Sequence, residues 1–568
     1  MKRAYLVDDV RAAEAPLLEA GVPLMREAAY AVATTAIRYV RGQGIAIPGF
    51  PVLVLAGAGN NGSDSLFAAA ELAHRGMAVR ALCSDHPHQR GYEAARRAGV
   101  TIIPYQTLDH VHEEKEIRRL GQECKIWIDG LLGIGARGAL REPYAQWVRI
   151  LNTWRIHASV QPYVVAVDVP SGVGVNDGTL ASAGQAQPQQ LHCSTEEVVS
   201  GEAKFYKEYR GYEACKAEEN IPPVLCADVT VTMGAGKPAL YLPPACFYAG
   251  KIVDVPLGFE PYLPQPALLS LEECDVRDLW VLPGHDDHKY TRGVLGILAG
   301  SQRYPGAGML SVGAALATGV GMVRYVGSNN DVIRAYPDVV HEPGRVQAWV
   351  LGSGLDTTAE AERIFTAASE QSLPVVLDAG ALSLVYQRNV PQHVILTPHE
   401  GEMASLLQAR GEHVQREDIH ASPAWAARKC AELTGATVVL KGAATIIASA
   451  AQPEPLYVQA GAPGWLATAG AGDVLGGIMG AMLAMHGEDI SEGSSSEGLI
   501  ARLASASCYI HAQAARHAAG LRSCAGEGSV HSLACISAAR ASVGHPITAS
   551  ALIDSVAPIV NAILNPVV

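Results

Sequence analysis

Short, uninterrupted runs of apolar residues recur along this chain of 568 residues, and many of them end in a glycine or an acidic residue. Examples are PVLVLAG at 51–57, YVVAVDV at 163–169 and LPVVLDAG at 373–380. Such runs are typical of strands that are buried on both faces of a parallel sheet. Stretches with helical spacing, such as 357–370 and 423–434, lie between them, so the pattern predicts an α/β protein with doubly wound sheets.

The length of the chain exceeds what one hydrophobic core usually supports, and the pattern favours two large units. We predict an N-terminal domain over 1–260, a Rossmann-like three-layer sandwich, and a C-terminal domain over 270–568. The proline-rich, aperiodic stretch at 261–269 is the predicted linker. A polar, charged segment at about 185–223 is predicted to be a surface insertion, and the stretch at 519–546 is irregular.

Composition and charge exclude several classes of protein. The formal net charge of −13 disfavours binding to nucleic acid, whose phosphates would repel such a surface. The 11 cysteines include no CxxC pair, so neither a disulfide framework nor a zinc site is indicated, and a reducing cytoplasm is expected. The start of the chain lacks the apolar core of a signal peptide. The uncharged stretch at 304–323 contains a proline and several glycines, which favours a buried helix over a membrane span.

The stretch LATAGAGDVLGGIMG at 466–480 combines a glycine-rich turn, one acidic residue and the start of an apolar helix. Gly470, Ala471 and Gly472 allow the backbone to aim successive N–H groups outward, beside the positive end of the helix dipole. These donors would stabilise a transferring phosphoryl group, and Asp473 would accept the proton of an attacking hydroxyl. An isolated GxGD fits a glycine turn before a capped core helix equally well.

A second glycine-rich loop, GAGNNG at 57–62, follows the first predicted strand and satisfies the GxGxxG dinucleotide pattern, with Asp85 near the position of a ribose-binding acid. Against a dehydrogenase, Asp64 would repel the pyrophosphate from the first turn of the helix. Asn60 and Asn61 offer amide groups that suit a monovalent cation and hydrogen bonds to ribose or nicotinamide. An asparagine-rich turn with Asp64 as a helix cap is a further alternative.

Acidic residues stand at several predicted strand ends of the first domain. Asp129 and Asp168 each close an apolar run, and Asp64 follows the glycine-rich loop. In an open parallel sheet, ligands gather at the carboxyl ends of the strands, so these side chains are expected in one site. Ser171 lies just after the same predicted strand as Asp168.

Five segments of the second domain together resemble the ribokinase-like superfamily, and more closely the ADP/ATP-dependent NAD(P)H-hydrate dehydratases. They are the GAGD turn, LGSGL at 351–355, LDAGAL at 377–382, LTPHEGE at 396–402 and LKGAATII at 440–447. The resemblance implies a ribokinase-like fold and Asp473 as the catalytic base. It implies nucleotide contacts from Gly470, Ala471, Gly472, Lys441, Gly442, Ala443, Ala444 and Thr445. Contacts to the hydrated nicotinamide are implied for Ala307, Gly354 and His399.

The first domain resembles the NAD(P)H-hydrate epimerases in PLMREAAYAVA at 23–33, NNGSDS at 60–65, DGLLGIG at 129–135 and GAGKP at 234–238. Ser63 and Ser65 stand where the loop of that family usually has glycines. The resemblance implies Asp129 and Lys237 as catalytic residues, and a K⁺ ion bound by Asn61, Asp129 and Ser171. The implied substrate contacts are Asn60, Asn61, Gly62, Ser63, Asp64, Gly133, Ile134, Gly135, Ala136, Arg137, Gly138, Ala139 and Asp168.

The order of the two domains resembles the bifunctional NAD(P)H-hydrate repair enzymes. Such enzymes act on NADH or NADPH that has gained water across a nicotinamide double bond. The resemblance implies that the first domain interconverts the R and S hydrates, and that the second dehydrates the S hydrate with ADP and Mg²⁺, forming AMP and phosphate. Expected ligands are NADHX, NADPHX and ADP, and a cytoplasmic homo-oligomer is expected. A small-molecule kinase fused to an inactive nucleotide-binding module is the alternative.

Overall fold

The computed structural model describes residues 1–108, 112–135, 140–180, 222–451, 455–491, 498–521 and 544–566. Most of the predicted insertion at 185–223 and of the irregular stretch at 519–546 lies outside the described residues. The rest of the chain forms two sheets with helices between their strands, and the strand order of each is that of a doubly wound fold. The predicted α/β class is confirmed.

The first sheet is entirely parallel, with the order β4-β3-β2-β5-β6-β7-β8 in the described residues. Its strands, preceded in the chain by a separate strand β1 (Lys2–Ala4), are β2 Pro51–Ala56, β3 Ala78–Cys83, β4 Thr101–Pro104, β5 Ile126–Gly130, β6 Tyr163–Val167, β7 Val229–Met233 and β8 Lys251–Val255. The accompanying helices are α1 Val7–Glu19, α2 Leu24–Gly42, α3 Asn60–His74, α4 Gln89–Arg97, α5 Glu113–Glu123 and α6 Tyr144–His157.

Alternate residues of β2 show why this unit has three layers. Val52 and Val54 pack with apolar residues of α2 and α3 on one face of the sheet. Leu53 and Leu55 pack with those of α5 and α6 on the other face. Because side chains alternate along a strand, a continuous apolar run requires a cover on both faces.

The second sheet has the order β1-β9-β17-β16-β15-β14-β13-β12-β10-β11, with parallel pairing among its central strands. Its further strands are β9 Leu268–Ser270, β10 Val294–Leu298, β11 Met322–Tyr325, β12 Ala348–Leu351, β13 Val375–Leu377, β14 Val394–Leu396, β15 Thr437–Leu440, β16 Thr445–Ala448 and β17 Leu456–Gln459. The helices of this unit are α7 Glu273–Asp278, α8 Pro305–Thr318, α9 Asn330–Ala335, α10 Ala359–Glu370, α11 Glu400–Ala409, α12 Arg416–Ala421, α13 Pro423–Thr434, α14 Ala471–Met485, α15 Gly487–Ser491, α16 Leu499–Ala518 and α17 Ala549–Leu564.

Strand β1 belongs to the second sheet although it precedes the first unit. It pairs antiparallel with β9, with Ala4 opposite Leu268. Immediately after it, the backbone N–H of Tyr5 donates to the carbonyl oxygen of Gly236 in the first unit at 2.9 Å. The segment therefore joins the two units. The predicted domain limits place β1 wholly in the N-terminal domain and most of β9 in the linker. Three residues are too few to show a periodicity.

The two units also share apolar contacts. One continuous cluster of buried residues includes Val173 and Leu240 from the first unit and Leu298 and Leu377 from the second. Because protein interiors are closely packed, such a shared cluster fixes the two units against each other. In the described parts of the chain, none of the helices combines the length and apolar character needed to span a bilayer.

Helices α8 and α14 cross at small residues and thereby set the position of the glycine turn before α14. A Cβ atom added to Gly477 would lie 2.2 Å from the backbone oxygen of Ser311 and 2.9 Å from the Cβ atom of Ala314. The glycine is therefore required for the close approach of the two helix backbones.

We expect Gly477→Ala to lower the free energy of unfolding of the second unit by about 1–3 kcal/mol, because backbone has to move to relieve the overlap. Denaturant unfolding measures the loss. Gly42→Ala at the end of α2 is the matched control, because a Cβ atom there meets nothing within 4 Å. Equal stability of the two variants would contradict the close approach.

Candidate functional sites

The GAGD turn lies at the N-terminus of α14. Gly470 has a φ angle of +89°, which favours glycine, and an added Cβ would lie 2.4 Å from the Cδ1 atom of Leu310. Helix α14 begins at Ala471, and Asp473 lies in its first turn. The N–H of Ala471 donates to Thr468 O at 3.3 Å, and the other N–H groups of the first turn, with the helix dipole, form an anion-binding end.

Asp473 has the environment of a general base. Burial raises the pKa of its carboxyl group, and the nearby charge of Asp378 raises it further, while a hydrogen bond from Ser353 and the charge of Lys441 act in the opposite direction. A carboxylate with a raised pKa is a better proton acceptor than a free one.

Asp378, at the end of β13, was missed by the sequence analysis as a site residue. It is buried, and its carboxyl oxygens accept hydrogen bonds from Lys441 Nζ at 2.8 Å, Thr397 Oγ1 at 2.7 Å and Ser353 Oγ at 2.9 Å. Burial alone would raise its pKa, but the charge and hydrogen bond of Lys441, with the two hydroxyl groups, hold the pKa below its usual value. The strand-end acid in LDAGAL is the signal that would have identified it.

Lys441 connects three segments of the predicted nucleotide site. Its backbone N–H donates to Pro398 O at 2.9 Å, next to His399, and its Nζ lies 3.9 Å from Glu402 Oε2. A Cβ atom placed on Gly472 would lie 3.7 Å from the same Nζ. The lysine therefore lies beside the GAGD turn. The predicted nucleotide contacts Gly442, Ala443 and Ala444 directly follow it between β15 and β16, and Thr445 is the first residue of β16.

The predicted nicotinamide contacts fall into two places. Gly354 has a φ angle of +65°, and its added Cβ would lie 2.8 Å from the Cβ of Ala307, so these two residues are adjacent. His399 is the N-cap of α11, where its Nδ1 accepts from the backbone N–H groups of Gly401 at 3.0 Å and Glu402 at 3.2 Å. Its ring is otherwise exposed.

In the first unit, Asp129 is 0% exposed and faces the loop after β6. Its carboxylate accepts from Ser171 N at 2.9 Å, Ser171 Oγ at 2.6 Å and Leu131 N at 3.3 Å. Burial raises the pKa of Asp129, and these hydrogen bonds oppose the rise.

Oxygen atoms converge around Asp129. The carbonyl oxygen of Leu132 lies 3.1 Å from Ser171 Oγ and accepts from Asn61 Nδ2 at 2.9 Å. A carboxylate, a hydroxyl, a backbone carbonyl and an amide therefore lie close together, and this donor set suits K⁺, which binds oxygen ligands. The predicted ligands Asn61, Asp129 and Ser171 fit that ion.

The loop before α3 needs its glycines. An added Cβ on Gly62 would lie 1.9 Å from Gly57 O, and one on Gly133 would lie 2.9 Å from Asn61 Oδ1. Asn60 is exposed, whereas Asn61 is buried under the loop that contains Gly133. The chain therefore brings the two predicted substrate loops into contact.

The two serines that replace family glycines are both buried. Ser63 Oγ lies 3.1 Å from His88 Nδ1, and Ser65 Oγ donates to Gly62 O at 2.8 Å. Both hydroxyl groups are therefore satisfied within the fold.

The predicted loop 133–139 is described as far as Gly135. The carbonyl oxygen of Ile134 accepts from Arg11 Nη2 at 3.4 Å, and an added Cβ on Gly135 would lie 3.7 Å from the same nitrogen. The predicted contacts Ala136, Arg137, Gly138 and Ala139 lie outside the described residues.

Lys237 and Asp168 form a buried ion pair on the other side of this site. Lys237 is 1% exposed, and its Nζ also donates to Thr232 Oγ1 at 3.1 Å and Met233 O at 2.9 Å. Asp168 has a φ angle of +67° and accepts from Met233 N at 3.1 Å. Glu14 of α1 lies close enough to interact with both charges, a contact that no sequence pattern indicated.

We expect Lys441→Met to lower the free energy of unfolding by about 3–5 kcal/mol near neutral pH, because it leaves the buried Asp378 carboxylate without its cation. The lowered pKa of Asp378 gives stability above the unfolded pKa that is lost as pH falls through the folded value. The effect should therefore shrink in acid. Lys429→Met is the control, because that lysine forms a surface pair with Glu412 at 3.4 Å. Equal effects of both variants in denaturant unfolding would contradict this.

Comparison with known proteins finds relatives for both units. Residues 295–537 match a family model described as NAD(P)H-hydrate dehydratase, and residues 22–239 match one described as YjeF-related protein N-terminus. The bifunctional NAD(P)H-hydrate repair enzyme Nnr of Mycobacterium tuberculosis is 35% identical over 505 residues, which cover 85% of this chain and 89% of the relative. The NAD(P)H-hydrate epimerase of Clavibacter sepedonicus is 38% identical over 258 residues, 45% of this chain and 90% of the relative.

Among solved structures, the ADP/ATP-dependent NAD(P)H-hydrate dehydratase of Bacillus subtilis, co-crystallized with ATP/Mg²⁺, is 24% identical, with a TM-score of 0.40. It covers 51% of this chain and 97% of its own. The identity and coverage of the full-length relative, with the two family matches in the same order, confirm the resemblance seen in the sequence. The chain belongs to the family of bifunctional NAD(P)H-hydrate repair enzymes.

Proposed function

We propose that the first unit interconverts the R and S hydrates of NADH and NADPH, and that the second dehydrates the S hydrate with ADP. The observation that supports the second activity most directly is the arrangement around Lys441. There the N-terminus of a helix, a carboxylate with a raised pKa and the ammonium group of a half-buried lysine meet at the carboxyl ends of parallel strands.

Asp473 is the proposed base. It takes the proton of the ring hydroxyl as that oxygen attacks the terminal phosphorus of ADP, and the bond from phosphorus to the AMP oxygen breaks. The amides of Gly470 to Gly472 stabilise the charge on the phosphoryl oxygens. The phosphorylated carbon then loses phosphate as the ring nitrogen forms a C=N bond, and loss of a ring proton restores NADH or NADPH. Phosphate leaves far more readily than hydroxide.

The residues around the turn fit a magnesium nucleotide. Lys441 is placed for the phosphates, and Gly442 to Thr445 for the rest of the nucleotide. No group of three or more His, Cys, Asp or Glu suited to a metal occurs among the described residues. Mg²⁺ commonly keeps several waters and binds chiefly through phosphate oxygens, so a nucleotide would supply most of its ligands. The ion would neutralise charge on the transferring phosphoryl group.

In the first unit, Lys237 and Asp129 are the proposed catalytic residues. Lys237, paired with Asp168, presents a fixed charge to the substrate. Asp129 is enclosed by Ser171 and Leu131, which favours an action through K⁺ and the loop at Gly133. The ion would be held by Asn61, Asp129 and Ser171, and would fix that loop over the nicotinamide.

We also propose the domain limits 1–260 and 270–568. We further propose that the protein is a cytoplasmic homo-oligomer, and light scattering would measure the mass of that oligomer.

We expect Asp473→Asn to lower the rate of dehydration of the S hydrate by about 10²–10⁴-fold, because the amide cannot accept the proton. The recovered absorbance of the reduced nicotinamide, with release of phosphate, measures the rate. Interconversion of R and S should be unchanged. Asp554→Asn, on an exposed position of α17, is the control. Formation of a stable phosphorylated product without NADH would favour the kinase instead.

The raised pKa of Asp473 also predicts the pH dependence. A base acts only when deprotonated, so the wild-type rate should rise with pH through that raised pKa and then level off. Asp473→Asn should lose this rise. A wild-type rate that falls as Asp473 loses its proton would contradict its assignment as the base.

A further inference from the structure

We infer that Asp64 is a catalytic acid of the epimerase site, whose carboxyl group supplies the proton needed by the departing hydroxyl of the substrate. The inference rests on the proposed epimerase function and goes beyond it, because the family resemblance implies only substrate binding for Asp64.

Asp64 differs from the other strand-end acids in its hydrogen bonds. Asp129 accepts from Ser171 and Leu131, and Asp168 accepts from Lys237 and Met233. The Oδ1 atom of Asp64 is buried and has no hydrogen-bond partner in the described part of the chain. An ionised carboxylate without donors is costly to bury, whereas a protonated one costs much less.

The charges around Asp64 also favour its protonated form. Burial raises its pKa most, followed by the negative charges of Asp168 and Glu14. Lys237 and Arg11 act on Glu14 and lower its pKa, while burial and Asp168 raise it. Asp168 and Glu14 thus both interact with the buried ammonium group of Lys237, with Arg11 also acting on Glu14. We therefore assign the proton to Asp64, whose buried Oδ1 atom has no donor among the described residues. From α4, His88 faces the adjacent Ser63 rather than Asp64.

The position of Asp64 suits proton transfer to the substrate. It lies in the first part of α3, one helical turn after Asn60 and three residues after Asn61, so it shares their side of the helix. Asn61 contacts the loop that contains Gly133. Asp64 therefore lies next to the first predicted substrate loop, and Asp168 is near enough for its charge to raise the pKa of Asp64.

The proposed step is balanced within the site. Asp64 gives its proton to the hydroxyl on the hydrated carbon, the C–O bond breaks, and the ring nitrogen lone pair forms a C=N bond as water leaves. Water adds to the opposite face of that carbon, and the C=N electron pair returns to nitrogen. The added water loses its proton to Asp168, and this proton passes to Asp64 through the cluster. No oxidant or further reactant is required.

The test uses the full-length protein and a mixture of R and S hydrates with ADP. We expect Asp64→Asn to lower the rate of R-to-S conversion by about 10²–10⁴-fold. Dehydration of the S hydrate on the same chain should be unchanged, so the reaction should stop when the S hydrate is consumed. Glu71→Gln, on the same helix, is the matched control and should behave as wild type.

Two further readouts distinguish an acid from a structural residue. Wild-type epimerisation should fall as pH rises through the raised pKa of Asp64, and the residual activity of Asp64→Asn should lack this fall. Because the folded state binds the Asp64 proton more tightly than the unfolded state, the wild-type protein loses stability as pH rises from the unfolded pKa through the raised folded pKa. Asp64→Asn should therefore be increasingly more stable than wild type as pH rises.

Epimerisation by Asp64→Asn within twofold of the wild-type rate, or a residual activity that keeps the fall at high pH, would overturn the inference. A wild-type protein that leaves the R hydrate unconverted while it dehydrates the S hydrate would instead overturn the proposed epimerase function. The two failures are thus separate.

Discussion

Burial of parallel strands on both faces is the constraint on which this structure depends. Side chains along β5, β6 and β13 meet apolar layers above and below the sheet, so charged groups are confined to the carboxyl ends of the strands. Asp129, Asp168 and Asp378 all occur at such ends. Because these groups are still largely shielded from water, each needs nearby donors to remain charged. The chemistry of both units follows from where those donors are placed.

The acidic residues of the two sites differ in the hydrogen-bond donors and charges that surround their carboxyl groups. Asp378 has a lysine and two hydroxyl groups, so it stays charged and fixes Lys441. Asp473 shares the Ser353 hydroxyl with Asp378 and lies near the negative charge of Asp378, which suits a group that must take up a proton. The buried oxygen of Asp64 has no donor within the described ranges, and this carboxyl group is suited to give a proton. Identical side chains thus take different roles because the surrounding hydrogen bonds differ.

The sequence predicted the class of the fold, the strand-end acids and the turn before α14, because these depend on residues that are adjacent in the chain. It did not reveal the Asp378–Lys441 pair, whose members are 63 residues apart. Nor did it reveal Glu14, since an acid on an amphipathic helix is usually a solvated one. Both features depend on contacts between residues that are distant in the sequence.

Strand β1 links the assembly of the two units during synthesis. Residues 2–4 leave the ribosome before the rest of the first unit, yet their partner at Leu268 is made more than 260 residues later. Contacts of such separation form late, because the intervening chain must be ordered before they close. The backbone that precedes Lys237 therefore gains its support from β1 only when the second sheet has begun to assemble. An enzyme that handles both epimers thus acquires its first site in full only as the second takes shape.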